Sequence, residues 1–366
     1  MSLFHYVTYK YIIIKDKRLG VAYYCLAGLI LLYTVVQIFV NKAYLQFDFS
    51  PKGNIRILVT TPPNKNSYNL SYCCTDNNTA NCGACRGLDG LSLNWPVESK
   101  AVTVASYVKE RWEKQECSGN FMYDQTKLHT PYSVVRENDF YSVNPENALI
   151  KIEHSISAVG DQFSASHRMM NGVLLTKDGK ILKRLNSKKL SRVDKIWLSE
   201  FLQAANVSLD ATSDALNANG RTYRQNGIVL HVMIEYKNAD FVWFGIGKPE
   251  YRYHVKHVTF SDYRVKQEIP IINSEGTVCE RLVNKRYATR LEFSQRGKIG
   301  QYSLSNLLFQ LVSFMGLLTL TATVIDIIAL YLVPNKDLYR QYVFDSSPEL
   351  RKPNEINETD EKEKEE

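Results

Sequence analysis

Six cysteines carry the plainest chemistry in this chain. Cys73, Cys74, Cys82, Cys85, Cys117 and Cys279 fall in one polar stretch, while Cys25 stands apart in an apolar run. An even count in an oxidising compartment predicts three disulfides, and six cysteines allow 15 pairings that spacing does not separate. Cys82-x-x-Cys85 is also half of a zinc motif, with no histidine cluster beside it. A second residue that asks for an explanation is Asp326, an isolated carboxylate in the apolar stretch 304–333. Val312, Gly316, Thr319, Thr323 and Asp326 recur at i, i+4, i+7, i+11 and i+14, which is one helical face, with Ser313 beside it. Small and hydroxyl side chains on one stripe let helices approach closely or face water within a bundle. A carboxylate is costly in hydrocarbon, so Asp326 must face water, where it would favour cations, or hydrogen-bond a neighbouring helix. No catalytic triad, paired carboxylate site or metal-ligand cluster stands out. Gly297-Lys298-Ile299-Gly300 lacks the Walker pattern. The chain reads as a non-enzyme without a cofactor.

The elements that must hold these residues follow from two uncharged runs, 21–40 and 304–333. Each is long enough to cross a hydrocarbon core ~30 Å thick at ~1.5 Å per helical residue. Lys10, Lys15, Lys17 and Arg18 precede the first run, and Lys336 and Arg340 follow the second. Short basic flanks stay in the cytosol, so both tails are expected there, with the middle outside the cell or in a lumen. The competing reading of the first run is a signal peptide. Its apolar core is too long, and Asn41-Lys42-Ala43-Tyr44 is a poor cleavage site. The expected layout is a tail (1–20), a span (21–41), an outer domain (42–302), a pore-lining span (303–333) and a second tail (334–366). Residues 349–366 are rich in Glu, Lys and Asn and are expected to be disordered. Sequons at Asn69, Asn77 and Asn206 fall in the outer domain as glycosylation candidates, and the one at Asn357 falls in the tail. The net charge of +7, from 45 cationic and 38 anionic side chains, does not suggest a nucleic-acid binder.

The outer domain reads mainly as strands. Segments 54–61, 148–156, 227–236, 240–246 and 290–294 are β-branched or alternate apolar with polar. Segment 172–185 reads as a hairpin turning on Asp178-Gly179 in a two-residue I′ turn. Ser191 to Asp194 resembles a capping box, and Val193, Ile196, Trp197, Phe201 and Ala204 then share a helical face. Lys177, Lys180, Lys183, Arg184, Lys188, Lys189, Arg192 and Lys195 form a basic run, read as a solvated face.

Several segments together resemble the P2X family of extracellular-ATP-gated cation channels. Tyr6-Val7-Thr8-Tyr9-Lys10 matches that family's Y-x-T-x-K signature, which marks Thr8 and Lys10 as regulatory candidates. Lys42-Ala43-Tyr44 resembles the exit of its first span. Lys285-Arg286-Tyr287-Ala288-Thr289-Arg290-Leu291-Glu292 resembles its K-x-[YF]-G-I-R-F-D block, and Gly297-Lys298-Ile299-Gly300 its linker into the second span. Asp262-Tyr263-Arg264 resembles its N-[FY]-R motif. The vertebrate ten-cysteine pattern is missing, so the chain looks closer to divergent members in unicellular eukaryotes.

The resemblance implies a homotrimeric membrane protein: two transmembrane α-helices flanking a large, mostly-β extracellular or luminal domain. It implies ATP as agonist bound between subunits and permeation of Na, K and Ca. The chain would lie in the plasma membrane or a vacuole membrane. Lys285 and Arg264 take two of the family's phosphate-binding positions. The family's K-x-K pair falls on Leu58 and Thr60, neither cationic, and Arg56 is the nearest substitute on the same strand face. Leu149 stands where the family usually has threonine near the adenine, with Lys151 on the same strand. Phe309, Ser313 and Gly316 sit where the family narrows its pore, with Asp326 further in. The departures leave open a channel of this fold answering weakly to ATP or to another ligand. A degenerin or acid-sensing type of channel, a nucleotide-hydrolysing ectoenzyme and a two-pass receptor without a pore are the readings from other classes.

Overall fold

The structure is a computed structural model. It describes residues 16–62, 70–74, 83–115, 133–158, 163–185, 193–238, 249–272, 274, 278–334 and 336–343. Thr8, Lys10, Asn69, Asn77, Cys82, Cys117, strand 240–246 and the tail 349–366 lie outside these residues. The chain divides into two units, residues 1–46 with 302–366, and residues 47–301. The first elements are α1 (Lys17–Phe39), β1 (Leu45–Asp48), β2 (Lys52–Thr60), β3 (Cys85–Arg86), α2 (Gly90–Leu93), β4 (Ala101–Lys114) and β5 (Ser133–Ser142). Then come β6 (Leu149–Ala158), β7 (Phe163–Ser166), β8 (Asn171–Leu175), β9 (Ile181–Leu185), β10 (Asp194–Trp197), α3 (Leu198–Ala205) and α4 (Tyr223–Asn226). The last are β11 (Ile228–Lys237), β12 (Glu250–His257), β13 (Arg264–Ile272), β14 (Val278–Tyr302), α5 (Leu304–Ile327) and α6 (Lys336–Val343).

In the first unit, α1 and the run Leu304–Leu332 are both long and apolar enough to cross a membrane. They are apolar on nearly every side, the mark of a helix solvated by lipid and not by water. Asp16 caps α1 by accepting from the Arg18 amide at 2.8 Å. Tyr339 of α6 donates to the same carboxylate at 2.5 Å, and this bond holds Asp16 below the usual carboxylate range. Leu19, Ile325, Ala329, Leu330 and Tyr339 pack together there. The helix after Ile327 loosens into a π turn, Ile328–Leu332.

In the second unit, a larger mixed sheet has the order β3-β5-β4-β14-β11-β12-β8-β9, with β13 also paired to β14. A smaller sheet has the order β10-β6-β2, with β7 paired to β6. Strand alternation builds the core: on β11, Ile228, Leu230, Val232, Ile234 and Tyr236 are all fully buried. The same alternation on β6 buries Ile150, Ile152 and Ile156, and it forces His154 inward with them. His154 lands in a polar cluster. Its ring lies 3.4 Å from Asp194, which accepts from Tyr251 at 2.9 Å and Tyr253 at 3.0 Å, while Tyr236 meets its Nδ1 at 2.9 Å. Burial pushes the His154 imidazole below its ordinary value, although Asp194 works the other way.

Three local expectations are corrected. Residues 194–197 form strand β10, paired to β6, and α3 begins only at Leu198. The capping carboxylate is Glu200, which accepts from the Trp197 amide at 2.8 Å. Val193, Ile196 and Trp197 fit the helical period, but Asp194 and Ile196 are buried together at strand spacing, and the two tyrosine donors to Asp194 fix the strand. The β8–β9 hairpin has a three-residue loop: Gly179 donates to Thr176 at 2.9 Å, and only Gly179 of the Asp178-Gly179 pair has positive φ, at +79°. That is a type I turn with a glycine bulge, not a I′ turn. The last strand is far longer than 290–294, because β14 is held by β4 along most of its length, by β13 in its first half and by β11 in its second.

Cys73 is bonded to Cys85, with Cα atoms 5.5 Å apart, which removes Cys85 from any zinc site. Cys74 and Cys279 are also disulfide-bonded, and Cys25 is free and exposed. Asn206 is exposed and ends α3 in the left-handed conformation, φ +57°.

Candidate functional site

On the smaller sheet, β2 runs antiparallel to β6. Arg56 stands opposite Glu153, Leu58 opposite Lys151, and Thr60 opposite Leu149. Directly opposed residues share a face, so Arg56, Leu58, Lys151 and Leu149 lie on one side. It is the outward side: Ile55 and Val59 between them are buried, while Leu58 is 52% exposed. Thr60 is turned to structure, its hydroxyl donating to the Leu149 carbonyl at 2.8 Å. Lys151 therefore places an ammonium on the face where Leu58 supplies none. Among the described residues, Arg56 and Lys151 make no ion pair.

On the larger sheet, β13, β14, β4 and β5 lie side by side. Their registers put Lys266 opposite Lys285, Lys285 opposite Lys109, and Lys109 opposite Asp139. The next row holds Arg264, Tyr287, Tyr107 and Tyr141. Arg264 and Lys285 are thus diagonal neighbours on one face, about 7–8 Å apart by ladder geometry. Tyr107 and Tyr287 are buried, with ring centroids 5.7 Å apart. Lys109 and Lys285 each hold their ammonium over one of these rings, at 5.8 and 5.7 Å. Burial, then a hydrogen bond to Asp139, raises the Tyr107 hydroxyl far above its ordinary value, so it stays protonated. Lys266 pairs with Glu268 at 2.5 Å, and Glu268 also holds Arg281 at 3.0 Å. Neither Lys109 nor Lys285 has such a carboxylate among the described residues. Tyr263, just before Arg264, donates to Glu98 at 3.3 Å; burial and that charge push its hydroxyl up to about 12. It anchors the start of β13, and Arg290 sits over its ring at 5.1 Å.

The structure gathers the expected cations into two sets, Arg56 with Lys151 on one sheet and Arg264 with Lys285 on the other. Lys109 and Lys266 escaped the sequence reading. They match no motif, and only the register of four strands reveals the row.

In α5, the buried positions Thr321 and Ile325 pack toward α1. Val312, Gly316, Thr319, Thr323 and Asp326 are all exposed, about 100–180° around the helix from those two positions at 100° per residue, with Asp326 nearest the seam. Phe309 and Ser313 are exposed too. The hydroxyls of Ser313, Thr319 and Thr323 donate to carbonyls one turn back, at 2.8, 3.0 and 3.2 Å. Their donors are satisfied, leaving oxygen lone pairs toward whatever occupies the open face.

Residues 211–346 match the model of the family described as ATP P2X receptor. P2X receptor E of Dictyostelium discoideum is 30% identical over 359 residues, covering 94% of this chain and 88% of that protein. This chain belongs to the P2X receptor family. P2X receptor B of the same organism is 30% identical over 359 residues, with 96% and 93% covered. Among solved structures, the fold is similar to that of the chicken ATP-gated P2X7 receptor channel crystallised with the competitive antagonist TNP-ATP. The TM-score is 0.51 at 14% identity, covering 85% of this chain and 99% of that one. The P2X chain described here is accordingly a membrane protein with two candidate spans around a mostly-β domain. The cation row of β13, β14 and β4 and the open face of α5 are the two features of this P2X fold that invite a function.

Proposed function

We propose that three copies of this chain form a cation channel opened by ATP or a related nucleotide on the outer or luminal side. The observation that carries it is the face of α5 turned away from α1. One two-helix subunit cannot enclose a pore, and that face holds Gly316, Thr319 and Thr323, with Ser313 and Asp326 at its two edges, where apolar residues would suit lipid. In a trimer the faces converge, with small and hydroxyl groups lining the path. Asp326 near its inner end favours Na, K and Ca over anions. Phe309, Ser313 and Gly316 mark the gate.

ATP carries three to four negative charges and needs converging cations. Lys285 and Arg264 take the phosphates from one side and Arg56 from the other, with Leu149 and Lys151 near the base. The two cation sets lie on different sheets, which suits a ligand clamped between neighbouring subunits. Tighter binding to the open form shifts the population toward it. Both tails are cytosolic, Thr8 and Lys10 tune the response, Asn69, Asn77 and Asn206 carry glycans, and the channel resides in the plasma membrane or a vacuole membrane. It needs no cofactor and performs no catalysis. A second reading, the same channel answering another anionic ligand, is favoured by the uncharged Leu58 and Thr60.

Thiol accessibility tests the pore. In a Cys25→Ser background, Thr319→Cys and Thr323→Cys should react with a charged, water-soluble thiol reagent and block current, while Ile325→Cys should not. Equal reaction at all three, or cross-linking that yields monomers alone, contradicts the proposal.

A further inference from the structure

We infer that Lys109 and Lys266 complete a polyphosphate-binding row with Lys285. The inference deepens the proposed function and rests on it for the nucleotide, but the row itself is read from strand register. Lys266, Lys285 and Lys109 occupy one cross-strand row on β13, β14 and β4, and directly opposed residues project to the same face. Like charges so placed repel and destabilise the sheet. A fold that keeps three of them side by side gains when an anion lies across them. The row spans two inter-strand spacings, about 10 Å, enough to meet more than one phosphate.

The surroundings fit that ligand. Arg264 adds a guanidinium on the diagonal of Lys285 and suits bidentate contact with phosphate oxygens. Lys109 and Lys285 lie over buried tyrosine rings, which keep their ammonium groups near a poorly solvated surface where attraction for an anion is stronger. Three carboxylates border the row, and all are engaged: Asp139 accepts from Tyr107, Glu137 pairs with Arg111 at 3.1 Å, and Glu268 is shared by Lys266 and Arg281. Lys109 stands on β4, away from the positions that the family resemblance marks. It supplies a charge that Leu58 and Thr60 do not.

The test uses the full-length protein in detergent with three probes: ATP, inorganic tripolyphosphate and adenosine. Lys109→Gln should bind ATP and tripolyphosphate about tenfold more weakly, and Lys266→Gln less so because Glu268 already shares its charge. Lys177→Gln, an exposed lysine on the β8–β9 hairpin, should bind as the parent does. Without ligand, Lys109→Gln should melt at the same temperature or higher, since it relieves repulsion, and tripolyphosphate should raise its melting temperature less than the parent's. A Lys109→Gln protein that binds both phosphates like the parent overturns the inference and leaves the channel reading standing. A parent that binds no tripolyphosphate also overturns it. Lys109-dependent tripolyphosphate binding in a protein that ATP never opens supports the row and removes nucleotide gating instead.

Discussion

Lys151 on β6 stands directly across from Leu58 on β2, on the outward face of the smaller sheet. A cation is thus restored one strand away from the place where the P2X resemblance expects a lysine. Lys151→Ala should weaken the ATP response about tenfold, the value of one charge-assisted hydrogen bond of ~1.5 kcal/mol. Leu58→Lys in that variant should recover most of it. Concentration–response curves decide this, and an unchanged midpoint in Lys151→Ala would remove the residue from the site.

Stability should fall on acidification because of His154. The imidazole is buried and held below its ordinary value by desolvation, facing Asp194, His167, Tyr236, Tyr251 and Tyr253. The unfolded chain takes up a proton near pH 6.5, and the folded chain does so only at lower pH. Between those two values the unfolded state binds more protons, so folding stability drops as pH falls. The slope approaches about 1.4 kcal/mol per pH unit. Melting curves from pH 7.5 to 5 should show the loss, and His154→Gln should flatten it. An identical slope in that variant would contradict the assignment.

Reduction should destabilise the outer domain. Cys73 and Cys85 are 12 residues apart in sequence, and closing a loop of that size constrains the unfolded chain by about 3 kcal/mol. Cys73→Ser should lower the melting temperature of the oxidised protein by an amount that a reductant cannot deepen at this bond. No shift would mean that the bridge contributes nothing to folding.

Arg224 offers a packing test. It is 2% exposed, lies over the Tyr72 ring at 3.8 Å, and binds Asp210 at 2.7 Å as well as Glu146. Burial opposes its charge, yet the two carboxylates hold its proton more firmly than usual. Arg224→Met removes a buried cation from partly solvated carboxylates and should cost about 1.5–3 kcal/mol, read from denaturant midpoints. A loss under 1 kcal/mol would show that the carboxylates are adequately solvated without it.

What could be read before the fold was known depended on how local each signal is. The helices 17–39 and 304–327 were legible because an apolar run of that length has few other uses. Strands β2, β6 and β11 were legible from alternation. Residues 194–197 read as helix because Val193, Ile196 and Trp197 sit at i, i+3 and i+4, whereas the buried Asp194 that makes them strand finds its donors on β12. Most of β14 was invisible because Glu280, Arg281, Asn284, Lys285 and Arg286 break the apolar alternation. Those residues are strand only through partners on both sides. For the same reason Lys285 and Arg264 are legible through family motifs, while Lys109 and Lys266 emerge only when the two registers that join β13, β14 and β4 are laid side by side.

The most direct test of the central claim is current through the purified full-length protein in a planar bilayer, with ATP applied to the outer-domain side. The account predicts ATP-evoked cation current that Lys285→Ala shifts to at least tenfold higher ATP. A parent that stays silent to ATP, or a Lys285→Ala channel that opens like the parent, would contradict it.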